Sequence, residues 1–97
     1  MWIEKGQYLR AILKKKDISQ IELVNKINES GLTSIKAQNI NNILNGSRGL
    51  GVKVARIIEI VLKLNDGVLT TIVVSSDKER KKIIDEVNAK AKELKLI

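Results

Sequence analysis

The side chains in this chain that stand out chemically are amides. From Lys36 to Asn45 the sequence reads KAQNINNILN, which gathers Gln38, Asn39, Asn41, Asn42 and Asn45 into less than three helical turns. A primary amide carries a donor and an acceptor side by side. The major-groove edge of adenine, with its N6–H donor and N7 acceptor, is the complement of that pair. Asparagine is a mediocre helix former, so a helix this rich in it gains little from propensity. Other chemistries have little to work with. The chain has no Cys and no His, which excludes disulfides, the usual zinc sites and Cys- or His-based catalysis. Ser, Asp and Glu occur, but none clusters with a plausible base, and no glycine-rich phosphate motif is present. The expectation is a protein that is not an enzyme, with no cofactor, no metal and no small-molecule ligand.

The amides need an element to present them. Ile40, Ile43 and Leu44 recur at i, i+3 and i+4, one apolar stripe of a short helix that Ile35 can extend. Thr33 or Ser34 can cap its start, and Gly46 can supply the left-handed residue that ends it. Upstream, Trp2 to Lys16 reads as a helix with Ile3, Leu9, Ile12 and Leu13 on one face and three lysines in its last turn, where cations suit the dipole. Ser19-Gln20-Ile21-Glu22 matches a capping box, and Ile18 with Leu23 fits a hydrophobic staple. The second helix then runs from Gln20 to Glu29 or Ser30, with Leu23, Val24 and Ile27 inward.

Downstream, Gly46, Gly49 and Gly51 flank Arg48 in a turned loop. Its N–H groups could hold a phosphate beside Arg48, or it simply joins two helices. Val52 to Leu64 reads as a helix apolar on most faces, ended by the turn residues Asn65-Asp66-Gly67. Val68 to Ser76, VLTTIVVSS, is rich in β-branched residues and reads as a strand. With no second strand to pair with, it would pair across a dimer axis, or else continue the helical array. Ser76 or Asp77 caps a last helix reaching about Leu94, in which Ile84, Val87, Ala91 and Leu94 form a short seam. That seam packs either on its own subunit or on a partner. The residues expected at a dimer contact are therefore Leu69, Ile72 and Val74 from the strand, and Ile84, Val87, Ala91 and Leu94 from the helix.

Charge points the same way as the amides. The formal net charge is +7, and no acidic residue occurs from Ser30 through Ile58, a window that holds Lys36, Arg48, Lys53 and Arg56. A positive field around the amide-rich helix favours an acidic partner such as nucleic acid or an anionic membrane, and since the amphipathic last helix lacks a Trp or Phe insertion face, no membrane is expected. One Trp, one Tyr and no Phe leave no ring platform for single-strand or RNA binding of the RRM or OB type. The first residues, MWIEKGQYLR, carry no apolar signal segment, and no apolar run approaches a bilayer span, so the expected place is the cytoplasm.

The order of elements resembles the Cro/cI-type helix-turn-helix domain of the XRE family, which is lambda-repressor-like. ISQIELVNKI matches the supporting helix and IKAQNINNILNGSR the recognition helix. The Ser-Gln opening at Ser19-Gln20 and the I-x-x-apolar-L-N-G close at Ile40 to Gly46 are both common in that family. The resemblance covers about residues 2–65. It implies a mainly α fold, a helix-turn-helix bundle of four to five helices over 1–66; the C-terminal strand and helix over 67–97 lie outside it and are expected to serve dimerisation.

By the same resemblance the recognition helix enters the major groove N-terminus first. Lys36, Gln38, Asn39, Asn41 and Asn42 are then the base readers. Gln20, Ser34, Asn45, Ser47, Arg48 and Lys53 are the phosphate contacts. Two departures stand out: the connection from Asn28 to Ser34 is longer than the usual turn, and Val24 stands where the family prefers Ala. The function implied is a sequence-specific regulator of double-stranded DNA. It would be a homodimeric repressor of phage, plasmid or mobile-element type on an AT-rich palindrome. The alternative is a protein-interaction module, an antirepressor or antitoxin-like adaptor, on the same fold.

Overall fold

The computed structural model describes the backbone of residues 2–73 and 76–97, and side chains from residue 6 onward. Expectations for Ile3 and Val74 lie outside these described side chains. Five α-helices follow in order: α1 (Trp2–Lys16), α2 (Gln20–Ser30), α3 (Ala37–Leu44), α4 (Val52–Val61) and α5 (Asp77–Glu93), with a single 3-10 turn at Thr70–Ile72 before α5. Among the described residues there is no strand. No described helix is long and apolar enough to cross a membrane.

Local sequence explains most of the boundaries. Ser19 Oγ accepts from the Glu22 backbone N–H at 3.1 Å while the Ser19 N–H donates to Glu22 Oε1 at 3.3 Å, so the capping box closes α2 as its spelling requires. Gly31, left-handed at φ 81°, ends that helix. Ser76 Oγ accepts from the Glu79 N–H and starts α5. α3 ends as expected on Gly46 at φ 84°: the Gly46 N–H donates to Ile43 O and the Ser47 N–H to Asn42 O, a Schellman closure.

Three boundaries differ from the sequence reading. α3 begins at Ala37 with Lys36 at the N-cap and no side-chain cap, so neither Thr33 nor Ser34 plays that part. Asn28 on α2 has taken hold of the connection instead: its Nδ2 donates to Ile35 O at 3.0 Å and its Oδ1 accepts from Ile35 N at 2.7 Å. That two-point clamp holds Ile35 outside the helix, two residues before its first residue, Ala37. α4 stops at Val61, short of Leu64, because Lys63 takes a left-handed φ of 55° and the Leu64 N–H turns back to Glu59 O at 2.8 Å.

The third difference is the expected strand. Over the described residues Val68–Val73 it is a turn and a 3-10 helix. The backbone N–H groups of Leu69 and Thr70, which a strand would spend on a neighbour, both donate at 2.8 Å to Glu59 Oε2. A buried carboxylate has replaced the partner strand, and it bends the chain because one oxygen gathers two successive donors. β-propensity gave way to a tertiary acceptor.

Packing joins these elements around one aliphatic core. α1 packs mainly on α3, α5 on α4, and α2 on both α3 and α4. Leu9, Leu23, Ile27, Ile40, Ile57, Ile58 and Leu69 are fully buried there, and Ile18 packs against the same cluster as Leu23, as a staple would. Residues 67–97 share this core through Leu69, Val73, Val87 and Ala91. The radius of gyration, 12.5 Å, is that of one compact body of this length.

The α1–α3 contact is unusually close. A Cβ on Gly6 would fall 2.5 Å from Ile43 O and 2.7 Å from Leu44 O, and Arg10 Nε donates to Leu44 O at 3.3 Å. The last carbonyls of α3 are thus covered by the backbone of α1 and capped by a cation.

Candidate nucleic-acid interface

The amide-bearing side of α3 faces out because the other side is locked in. Ile40, Ile43 and Leu44 are buried, so Gln38, Asn41 and Asn45 are exposed and Asn39 and Asn42 half-buried. Lys36 is exposed at the N-cap. Four of these residues already have distinct surroundings. Gln38 Nε2 donates to Asn42 Oδ1 at 2.9 Å. Asn39 lines a recess of about 310 Å³ with Thr33, Ser34, Ile35 and Arg48. Asn45 Oδ1 accepts from both the N–H (3.0 Å) and the Oγ (2.7 Å) of Ser47, an Asx turn that shapes the loop after the helix. Asn45 and Ser47 are therefore committed in part to each other, and Asn45 keeps its Nδ2 for a partner.

Arg48 is exposed, and its backbone N–H donates to Asn42 O at 3.1 Å. Its guanidinium thus leaves from the C-terminal closure of α3 beside the recess that holds Asn39. Ser34, also exposed, lines the same recess. Among the described residues these groups surround the recess with no acidic side chain, so an anion would meet no like charge.

Other expected contacts fall elsewhere. Lys53, though exposed, lines a second depression of about 290 Å³ with Leu32 and the α5 residues Ile83, Glu86 and Lys90. Gln20 is half-buried, and its Nε2 is enclosed without a hydrogen-bond partner, so that nitrogen is not presented to solvent. Arg56 does not belong to the surface field at all. It is buried, with Nη1 3.0 Å from Glu59 Oε1 and 2.8 Å from Asp66 Oδ1, and Nε 2.7 Å from Asn88 Oδ1. Burial alone would lower its pKa; the bonds to Asp66 and Glu59 outweigh that and hold it above the ordinary value. The positive field expected around α3 rests on Lys36 and Arg48, with Lys53 farther off.

The expected dimer residues also divide. Leu69, Val87 and Ala91 are buried in the core of the same chain, and Ile72 and Ile84 are half-buried against it. Val87 and Ala91 therefore take the own-subunit alternative of the α5 seam. Leu94 is 42% exposed, next to exposed Leu96 and Ile97.

Two residues important to the site were not found from sequence. Asn28 sets the start of α3 through Ile35, and Gly6 sets its end through Ile43 and Leu44. A glycine inside a helix that otherwise reads well is a signal of close approach. The clamp by Asn28 has no such local mark, because its partner lies seven residues on.

The chain was compared with protein-family models, curated proteins and solved structures, and none of them matches it.

Proposed function

We propose that this protein is a sequence-specific double-stranded DNA-binding regulator that reads the major groove with α3. The observation that carries the reading is the face of α3 itself: a row of exposed and half-exposed amides on a helix anchored by its opposite side, with Arg48 and Lys36 at its two ends and no acid between Ser30 and Ile58. Amides that only needed water would not require so rigid a mount. Base readout does, because bidentate contacts depend on fixed orientation.

On this reading Gln38, Asn39 and Asn41 face base edges with Lys36 beside them, Asn42 stands behind Gln38, and Ser34 and Arg48 face phosphates. α2 and α3 form a helix-turn-helix whose connection, residues 31–36, is longer than the common form and is held by Asn28. Amide side chains favour adenine, so the operator is AT-rich. The protein binds as a homodimer on an inverted repeat with half-sites about one turn apart. Self-association is assigned to the exposed Leu94, Leu96 and Ile97, since Leu69, Ile72, Ile84, Val87 and Ala91 pack in or against the chain's own core. Repression of a mobile-element promoter requires no more than occupancy of such a site.

The test is selection from random duplexes at near-physiological salt, with sizing of the same sample. The expected result is an AT-rich inverted repeat bound by a dimer, with affinity falling steeply as salt rises. Salt-sensitive binding without an enriched motif would mean an architectural protein instead. No binding would turn the amide face into a surface for a protein partner.

A further inference from the structure

Gln38 and Asn42 lie one turn apart on the outer side of α3 and are already joined, Gln38 Nε2 donating to Asn42 Oδ1 at 2.9 Å. Two amides linked in this way keep unspent capacity: Gln38 retains Oε1 and its second N–H, and Asn42 retains the donors of Nδ2. The bond also removes a freedom. A lone glutamine amide can turn over and exchange its oxygen with its nitrogen. Turning Gln38 over would set Oε1 against Asn42 Oδ1, two acceptors facing each other. The main chain at residue 42 is fixed, its carbonyl receiving the N–H groups of Ser47 and Arg48 where the helix closes, and the side-chain bond survives an exchange of oxygen and nitrogen only if both amides turn together.

We infer that Gln38 reads one adenine and that Asn42 is its positioning residue, acting through the orientation of the Gln38 amide and not by touching that base. The inference rests on the DNA-binding reading above. Adenine presents N6–H and N7, and the oriented amide offers Oε1 and an N–H in answer. Guanine presents O6 and N7, both acceptors, so Oε1 would face O6 with no proton between them. The same logic makes the contact sensitive to modification. In a duplex one N6 hydrogen pairs with thymine and the other points into the major groove. A methyl group in place of the second hydrogen removes the donor that Oε1 needs. An operator carrying N6-methyladenine at this position is therefore bound as poorly as one carrying guanine, which would couple the regulator to adenine methylation.

The experiment uses the full chain and its selected duplex, followed by fluorescence anisotropy. Each adenine is replaced in turn by guanine (with cytosine opposite), by 7-deazaadenine and by N6-methyladenine. Proteins are wild type, Gln38→Ala, Asn42→Ala, the double variant and Asn42→Asp. At one adenine all three replacements should weaken the wild type, by about 5- to 150-fold for a contact of this kind. Gln38→Ala and Asn42→Ala should each lose that preference at the same base pair, with no further loss in the double variant. Asn42→Asp keeps the acceptor and should restore the preference at lower overall affinity, since its charge opposes the phosphates. A purely structural role would lower binding to every duplex alike and would not respond to the base. An adenine preference untouched by Gln38→Ala, or single variants that alter different base pairs, overturns the paired reader while DNA binding stands. Failure to select any duplex overturns both.

Discussion

The molecule handles polar side chains in two opposite ways. On α3 they are held out with capacity unspent: among the described residues Gln38, Asn39, Asn41 and Asn42 share a single side-chain bond, from Gln38 to Asn42. Between α4, the 3-10 turn and α5 they are consumed. Glu59, 1% exposed, accepts from Arg56, from the N–H groups of Leu69 and Thr70, and from Thr70 Oγ1, while Arg56 also reaches Asp66 and Asn88. A group whose bonds are complete inside the fold holds the fold together and is unavailable to a ligand. A group left incomplete on a rigid mount is available and contributes little to stability. The cluster fixes α5 on the body; the α3 face keeps donors and acceptors open.

Mutations should separate these two roles. The largest effect belongs to the cluster. Glu59→Ala strands two backbone N–H groups and takes from Arg56 the buried one of its two carboxylate partners, leaving it Asp66 and Asn88, and should cost about 3–5 kcal/mol in urea unfolding, a large part of the stability of a domain this size. A loss below about 1 kcal/mol would mean that water or a shifted Asp66 replaces the carboxylate easily, and the contrast would fade. Deleting residues 68–97 belongs in the same class: it uncovers the α4 side of the core, against which the 3-10 turn and α5 now pack with Leu69, Val87 and Ala91, so the remainder should lose cooperative unfolding by circular dichroism, and not merely fail to dimerise.

Next comes Gly6→Ala. On an isolated helix the change would stabilise by about 1 kcal/mol. Here the new Cβ falls 2.5 Å from Ile43 O, so the sign should reverse, to a loss of about 1–3 kcal/mol. A gain in thermal midpoint would show that α1 can lift from α3 at no cost.

Asn39→Ala should do the reverse of Glu59→Ala: stability within about 0.5 kcal/mol of wild type, but specific duplex binding weaker by about 1–3 kcal/mol. If binding were unchanged and stability fell, Asn39 would belong with the consumed polar groups. The smallest effect is at a helix end. The same Schellman closure ends α3 on Gly46 and α4 on Lys63, both left-handed. Relieving the non-glycine residue with Lys63→Gly should stabilise by less than about 1 kcal/mol, the left-handed penalty being offset by the greater freedom of glycine when unfolded.

Legibility in the sequence follows the range of the forces involved. α1, α2 and α5 were readable end to end because their signals lie within a few residues: the Ser19–Glu22 box, the left-handed Gly31, the Ser76 cap. α3 was readable in its stripe and its Gly46 close, but not in its start, which Asn28 dictates from the preceding helix. Val68–Val73 was misread because β-branching describes what a residue tolerates, while Glu59 decided where the backbone donors went. Arg56 was misread for a related reason. Its neighbours in sequence carry no acid, yet Glu59 lies one turn on and Asp66 folds back onto it.

What the sequence determined by itself is therefore the set of helices, the aliphatic core and the amide face of α3, since periodicity and capping act locally and need no other element to be in place. What only the tertiary structure decided is which polar groups remain free. That depends on which donors and acceptors meet across the fold: Glu59 with Leu69 and Thr70, Arg56 with Asn88, Asn28 with Ile35, and the backbone at Gly6 with the end of α3. These pairings join groups from seven to nearly forty positions apart, and burial makes an unpaired polar group expensive, so the fold as a whole chooses them.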